Sequence, residues 1–119
     1  EAQSLISANK RVANILAKNS PKGAAINTSL LAEPAEVNLF KNLEEKRAIV
    51  QQFISGRYYD AALHELAKLS VPLDDFFATV MVMTDEVIIR DNRLALLHNL
   101  RQLFLDIADI SLLSGTEKP

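Results

Sequence analysis

The sequence contains no cysteine, only two histidines, and only three glycines and four prolines among its 119 residues. Without cysteine, the chain can form neither disulfide bonds nor the metal sites that thiolates build. The small number of helix-breaking residues predicts a strongly helical protein. No apolar run approaches the roughly 20 residues needed to span a bilayer, and no signal peptide is visible. We therefore expect a helical domain without a membrane segment.

The charges are distributed unevenly along the chain. The composition is 49% hydrophobic and 24% charged with a net charge of −2, which is typical of one globular domain and not of a generic nucleic-acid coating protein. Residues 1–22 nevertheless hold four basic side chains against Glu1 alone, which gives this segment a net charge of +3 and the remainder −5. The sequence thus predicts a local basic face on a mildly acidic domain. Because Glu1 is not an initiator methionine, we expect a piece of a larger protein.

The hydrophobic periodicity predicts five helices and no strand, which is an all-α fold. The short connections predict antiparallel neighbours, and hence an up-and-down helical bundle. We expect a single domain over residues 1–113 and a flexible tail over residues 114–119. The expected helices cover about residues 2–18, Pro34 to a C-terminal cap at Gly56, about 59–69, Ser70 to about Val80, and a cap at Thr84 or Asp85 to about Asp109.

Residues with the spacing of a catalytic or metal site are hard to find. Neither His64 nor His98 has a second good ligand at the spacing of a helical zinc motif. The carboxylate pairs at residues 44–45 and 74–75 are adjacent in sequence, so their side chains point about 100° apart on a helix and cannot share a proton. There is also no glycine-rich phosphate loop. We predict no catalytic residue and no metal ligand, and therefore a binding module.

The segment NKRVANILAK, residues 9–18, could carry such binding. Lys10, Asn14 and Lys18 recur every fourth residue with Arg11 beside them, and the apolar residues opposite direct this row outward. Lysine and arginine can contact a phosphate backbone, while arginine and asparagine can also read base edges. A further lysine, Lys22, lies nearby. The alternative is a helix face whose charges only confer solubility.

A second pattern lies in GRYYDAALHELAKL, residues 56–69. Gly56, Tyr59 and Ala62 have the spacing of a tetratricopeptide repeat, but no second copy follows about 34 residues later. We favour a helix start as the explanation, with glycine allowing a sharp turn and the aromatic ring packing on the next helix. Tyr58 is then the more exposed tyrosine, and it could stack on a base.

The last predicted helix places an arginine on its apolar face. On a helical wheel Arg93 falls among Leu96, Leu100 and their apolar neighbours. An unpaired charge there would be costly, so Arg93 needs a carboxylate or several carbonyls from another helix, or a route to solvent for its head group. We predict a structural buried charge. Arg90 and Arg101 lie within about 20° of each other at the edge of this face and are better placed to contact a ligand.

Several blocks of the sequence match one family in order. FFATVMVM, RDNRLALL and LRQLFLDIADISLL near the C-terminus, together with NKRVANILAK and SGRYYDAAL upstream, resemble the C-terminal region of the bacterial glycyl-tRNA synthetase beta subunit. The resemblance covers about residues 8–113. NKRVANIL is also loosely similar to arginyl-tRNA synthetases, whose anticodon-binding domain is of the same DALR type.

This resemblance implies a helical bundle that binds the anticodon region of glycine tRNA. It implies that Lys10, Arg11, Asn14 and Lys18 form the best RNA-facing surface, with Arg90 and Arg101 as further candidates. Within this surface, Lys18 and the nearby Lys22 are better suited to contacts with the RNA backbone. It also implies a cytoplasmic parent enzyme, a glycine–tRNA ligase whose alpha subunit binds glycine and uses ATP with Mg²⁺ through a glycyl-adenylate. None of that chemistry would reside in this chain, for which no cofactor is expected.

Two other functions remain open from the residues. A tetratricopeptide-like helix hairpin would bind a peptide and would show no salt-sensitive RNA binding. A subunit-assembly module would use the long last helix as its interface and would associate at micromolar concentration.

Overall fold

The structure, a computed structural model, describes the backbone of residues 2–19 and 25–117 and the side chains of residues 7–19 and 25–106. Within these ranges the chain is all-α, and no strand occurs in the part described. The predicted fold class and the five helices are confirmed. The elements are α1 (Ala2–Lys18), a 3₁₀ turn (Thr28–Leu30), α2 (Pro34–Ser55), α3 (Tyr59–Ala67), α4 (Ser70–Thr79) and α5 (Val87–Glu117).

Helix α2 begins where the proline predicted. Pro34 occupies the first helical turn, where its missing N–H would have no intrahelical partner. The side chain of Glu36 reaches back to the backbone N–H of Glu33 at 3.1 Å, and the Glu33 side chain accepts from the Glu36 backbone, which together form a capping box. The start of α2 is thereby fixed on both sides.

In the turn between α2 and α3, the residue with the unusual backbone conformation is not the glycine that was expected to allow the turn. Gly56 caps α2 as expected, but its φ of −87° is accessible to any residue. The left-handed conformation falls instead on Arg57, with φ of 65°. Glycine at 56 is explained by a close approach, because a Cβ there would lie 2.8 Å from the Tyr58 ring. Tyr58 is indeed the more exposed tyrosine, at 66%.

Helix α5 is the central helix of the bundle and packs against α1, α2 and α3. Its buried positions include Leu96, Leu97, Leu100, Leu103 and Phe104, as the wheel predicted. Burial extends further, however, because every residue from 92 to 97 is buried. Neighbours on several sides of this part of α5 enclose the helix, so it has no solvated face here.

The buried face of α2 includes charged residues and leaves out some apolar ones. Val37, Phe40 and Phe53 are only partly buried. The fully buried face has the alternating three- and four-residue spacing of a helix that packs along its length. It consists of Glu36, Leu39, Leu43, Lys46 and Val50. Because two of these five buried residues are charged, a search for hydrophobic periodicity alone does not identify this face.

The limits of α5 also differ from the prediction. Val87 is its first residue, and the Glu86 carbonyl accepts from the Arg90 N–H at 2.8 Å, so neither Thr84 nor Asp85 directly precedes the helix. The helix continues to Glu117, past the expected end at Asp109. The flexibility predicted for residues 114–119 stays a prediction, since residues 118–119 and the side chains beyond residue 106 lie outside the described part. In the described part, no helix combines the length and apolarity needed to cross a membrane.

Candidate nucleic-acid interface

Helix α1 lies antiparallel to α5, as two pairs of hydrogen-bonded residues show. Arg101 donates from Nη1 to Asn9 Oδ1 at 2.8 Å. Asn92, nine residues earlier on α5, accepts from the Asn27 N–H at 2.7 Å and donates to the Asn27 carbonyl at 3.1 Å. The chain after α1 therefore returns to the N-terminal part of α5. The Arg101–Asn9 bond fixes the height of α1 along the bundle, and the Asn92–Asn27 bonds hold the segment around Asn27 against α5.

The apolar side of α1 is buried, so the predicted row of polar and basic residues on the opposite side faces outward. Val12 is 0% exposed, whereas Lys10, Arg11, Asn14 and Lys18 are all exposed. On the wheel these four side chains span an arc of about 100°. Within the described residues, Lys10 and Lys18 make no ion pair, so their charges face solvent without an internal carboxylate. The predicted Lys22 lies outside the described residues.

Arg11 stands on the α4 side of this row, over an aromatic ring. Its guanidinium carbon lies 4.2 Å from the centroid of Phe77, a cation–π contact. Phe77 itself is held edge-on by Phe76, with centroids 5.8 Å apart and planes at 68°, and Phe76 is fully buried. The core thus fixes the ring on which the Arg11 side chain rests.

Arg101 borders the opposite side of α1, from α5. Its bond to Asn9 places one guanidinium nitrogen against α1, and the residue remains partly exposed. Arg90 is eleven residues earlier on α5, about 16 Å along the axis and about 20° away in azimuth. Because α1 and α5 are antiparallel, Arg90 lies toward the Lys18 end of α1. The described structure gives Arg90 no contact with the other candidates, so it extends the basic surface without joining it directly.

Arg93 is buried and paired. Its Nε lies 3.1 Å from Glu36 Oε2 and its Nη2 lies 3.2 Å from Glu36 Oε1, which is a two-point contact with a carboxylate that is 0% exposed. Its Nη1 donates to the Met81 carbonyl at 2.6 Å. A single guanidinium therefore joins α5, the first turn of α2 and the α4–α5 connection. It points into the bundle and away from the row on α1.

A second cluster of charges lies between α2 and α3. Glu65 accepts from Lys68 Nζ at 2.6 Å and from Lys46 Nζ at 3.3 Å. The hydrogen bond from Lys68 holds the pKa of the Glu65 carboxyl below its usual range, with Lys46 acting in the same direction and burial opposing both. Lys46 is only 8% exposed, so this cluster balances a buried cation.

The other polar residues give no sign of a reaction centre. Among the side chains that the structure describes, no group of three or more histidines and carboxylates could hold a metal ion. His64 is exposed and His98 partly exposed. The adjacent carboxylates at 44–45 and 74–75 are exposed, as expected for solvated helix surface.

Three partners in this region had no signal in the sequence. The sequence patterns single out neither Glu36, Phe77 nor Asn92. Each acts on a residue more than 50 positions away, so the helical pattern of its own segment carries no trace of the contact. Arg93 needed a carboxylate, several carbonyls or a route to solvent, and only the fold shows that its partners are Glu36 and the Met81 carbonyl.

Comparison with known proteins gives consistent matches over this whole structure. Residues 5–113 match the family described as the DALR anticodon binding domain. The chain is similar to the glycine–tRNA ligase beta subunit of Acinetobacter baumannii, at 47% identity over 116 residues, which is 97% of this chain and 17% of that protein. It is also similar to the protein of the same name from Salmonella arizonae, at 49% identity over 114 residues, 95% of this chain and 16% of that protein. The chain thus spans about a sixth of the length of these curated relatives.

Proposed function

Since this chain belongs to the DALR anticodon-binding domain family, we propose that it binds the anticodon region of glycine tRNA as part of a glycine–tRNA ligase beta subunit. The observation that carries the proposal is the outward row Lys10, Arg11, Asn14 and Lys18 on α1, bordered by Arg101. This row concentrates cations on one face of a chain whose net charge is −2. Such a face attracts phosphates locally without coating RNA nonspecifically.

The side chains of this row divide by the contacts they can make. Lys10 and Lys18 are about 12 Å apart along the helix axis and suit phosphates, which position the RNA but carry no sequence information. Arg11 and Asn14 lie between them and offer planar groups with donors and acceptors for base edges. Arg93 is assigned to structure, because Glu36 and the Met81 carbonyl already occupy its donors.

The chain would serve catalysis by holding the tRNA in place. Binding at the anticodon positions the acceptor end relative to a distant site, so that part of the entropic cost of the reaction is met before chemistry begins. We assign glycine activation with ATP and Mg²⁺ to the alpha subunit of a cytoplasmic enzyme, as the family resemblance implies. The sequence contains no glycine-rich phosphate loop, which supports this division.

The proposal is tested with a hairpin RNA that carries the glycine anticodon and with a second hairpin of identical stem whose anticodon bases are substituted. We expect salt-sensitive binding and a preference of about tenfold or more for the glycine anticodon, because specific base contacts each discriminate by about 1–3 kcal/mol. Fluorescence anisotropy at low and at physiological salt measures both. Equal affinity for the two hairpins would contradict anticodon recognition by this chain.

The two alternative functions make different predictions. The tetratricopeptide interpretation is not supported, because residues 56–69 fall within the match to the anticodon-binding family. The assembly interpretation predicts self-association at micromolar concentration without RNA binding, which sedimentation of the same sample would detect.

A further inference from the structure

The guanidinium of Arg11 is a flat cation with one face covered and the other face open. The Phe77 ring covers the inner side at 4.2 Å. Arg11 is nevertheless exposed, and within the described residues it makes no ion pair and no hydrogen bond. Its outer face and its five N–H donors therefore remain available to a ligand.

The aromatic support gives this side chain an orientation that an ordinary surface arginine does not have. A free arginine on a helix samples many rotamers and loses that freedom when it binds. Here the ring of Phe77 is itself held by Phe76, which is fully buried. The plane of the guanidinium is thus partly organised before any ligand arrives, which lowers the entropic cost of stacking on it.

The neighbours of Arg11 indicate what would stack there. Asn14, one turn later, presents an amide that can both donate to and accept from a base edge, and Lys10 and Lys18 lie on either side for phosphates. Unpaired bases of RNA loops stack on arginine planes as well as on aromatic rings. A peptide or a second protein would not require a flat cation flanked by lysines without carboxylates.

We propose that Arg11, supported by Phe77, is a stacking platform for one unpaired base of the RNA loop, with Asn14 contacting the edge of the same base or of its neighbour. This inference rests on the proposed function, because it presumes that an RNA loop reaches α1. It goes further in naming the residue, the aromatic support and the kind of contact. The contribution is expected to be sequence-tolerant stacking, since every base has a π-face, with any sequence preference added by Asn14.

The matched pair of variants is Arg11→Lys and Arg101→Lys. Both retain the positive charge and remove the planar group, one from the aromatic support beside α4 and the other from the Asn9 contact beside α5. A third variant, Phe77→Leu, keeps an apolar side chain under Arg11 but removes the ring. Thermal melting of each variant verifies that the bundle is intact.

The probes are the glycine-anticodon hairpin and a set of hairpins in which one loop nucleotide at a time is abasic. We expect Arg11→Lys to weaken binding of the unmodified hairpin by about fivefold to 100-fold, the range of one base stack. For one abasic hairpin, wild type and Arg11→Lys should bind equally, because the base that stacks is already absent. Phe77→Leu should lose affinity in the same way, with a smaller loss that also disappears for that one abasic hairpin. Arg101→Lys should show no loss of affinity that depends on the base at that position.

A fluorescent 2-aminopurine at the identified position gives an independent readout. Stacking should quench its emission when wild type binds and should not do so with Arg11→Lys. If Arg11→Lys binds every hairpin as well as wild type, or loses the same factor with every abasic hairpin, the stacking platform is wrong while anticodon binding stands. If wild type binds none of the hairpins, the proposed function itself fails, and the inference fails with it.

Discussion

Arg93 and Glu36 illustrate how a single charge pair can serve several elements at once. The carboxylate of Glu36 receives Arg93 through both oxygens and also accepts the Glu33 N–H of the capping box. Arg93 in turn holds the Met81 carbonyl of the α4–α5 connection. Replacing such a pair by apolar residues can be neutral, but removing one partner leaves a buried charge uncompensated. The pair therefore specifies how α2, α5 and the connection fit together more than it adds net stability.

We expect Arg93→Met to lower the free energy of unfolding by about 3–5 kcal/mol, because it leaves the Glu36 carboxylate buried without a cation. The double variant Glu36→Gln/Arg93→Met should be more stable than Arg93→Met alone, since glutamine keeps the bond to the Glu33 N–H and carries no charge. Urea denaturation measures both. If Arg93→Met retained full stability and instead lost RNA binding, Arg93 would belong to the interface.

Glu65 provides a pH-dependent contribution of known sign. Its pKa in the folded state is lowered from 4.5, chiefly by the hydrogen bond from Lys68. The stabilisation is therefore fully present above the unfolded-state pKa and is lost as the pH falls through the lower folded-state value. The difference in free energy of unfolding between wild type and Glu65→Gln should be largest near neutral pH and should vanish in acid. Denaturation series from pH 7 to pH 3 measure this difference, and a difference that stayed constant over that range would contradict the contribution of Glu65.

Among the helices, α1 depends most visibly on distant partners for its placement. Its apolar face packs into the bundle, and its position along α5 is set by the bond from Arg101 near the middle of α1 and by the Asn27–Asn92 bonds beyond its C-terminal end. Asn92 is 6% exposed and spends both ends of its amide on the Asn27 backbone. The buried amide thereby replaces backbone–backbone hydrogen bonds and holds Asn27 against α5.

We expect Asn92→Ala to lower the free energy of unfolding by about 1–3 kcal/mol, because it leaves the Asn27 N–H without its acceptor and leaves the Asn27 carbonyl with the Leu30 N–H as its one remaining donor. The Asn27 amide should also exchange faster with solvent. Asn42→Ala is the control, since the Asn42 side chain bonds only to Asn38 within α2 and its loss should be nearly neutral. Unchanged protection of the Asn27 amide in Asn92→Ala would show that these bonds do not hold the segment.

The helices themselves were predictable because their signals are local. Pro34, Gly56 and the apolar periodicity of α1 and α5 act over a few residues, and the structure places α1 and α2 where the sequence did, whereas α5 occurs as expected but with different limits. The inner face of α2 was not predictable, because Glu36 and Lys46 read as surface residues until their partners Arg93 and Glu65 are known. The outward row on α1 was predictable because the apolar residues on the opposite side of the same helix must face the core. The support of Arg11 by Phe77 was not, since it joins two helices that sequence spacing does not relate.

At the scale of the whole molecule, the candidate interface is the side of the bundle on which basic side chains are not paired with carboxylates. The row on α1 faces outward, while cations elsewhere, such as Lys46, Arg47 and Lys68, are engaged with glutamates. Engaged cations attract phosphate weakly, because the neighbouring carboxylates cancel their field. RNA affinity should therefore depend on where a charge is removed and not only on how many are removed.

We expect Lys10→Ala/Lys18→Ala to reduce the dependence of RNA affinity on salt, lowering the slope of log K against log salt concentration by about 1 to 2, since each phosphate contact contributes about 0.7 to 0.9. Arg47→Ala/Lys68→Ala removes the same charge from two cations that are paired with glutamates and should leave the slope nearly unchanged. Anisotropy titrations at several salt concentrations give both slopes. Equal reductions in the two variants would mean that net charge, and not the row on α1, governs binding.

The antiparallel pairing of α1 with α5 also has a consequence for the order in which the chain folds. The bond between Asn9 and Arg101 spans 92 positions, and those between Asn27 and Asn92 span 65. During synthesis, which adds about 5–20 residues per second, α1 emerges several seconds before the helix that receives it. Its apolar face must wait for that partner. Helices α2, α3 and α4 can form local contacts in the meantime, so the surface assigned to RNA is expected to be among the last parts of the bundle to be completed.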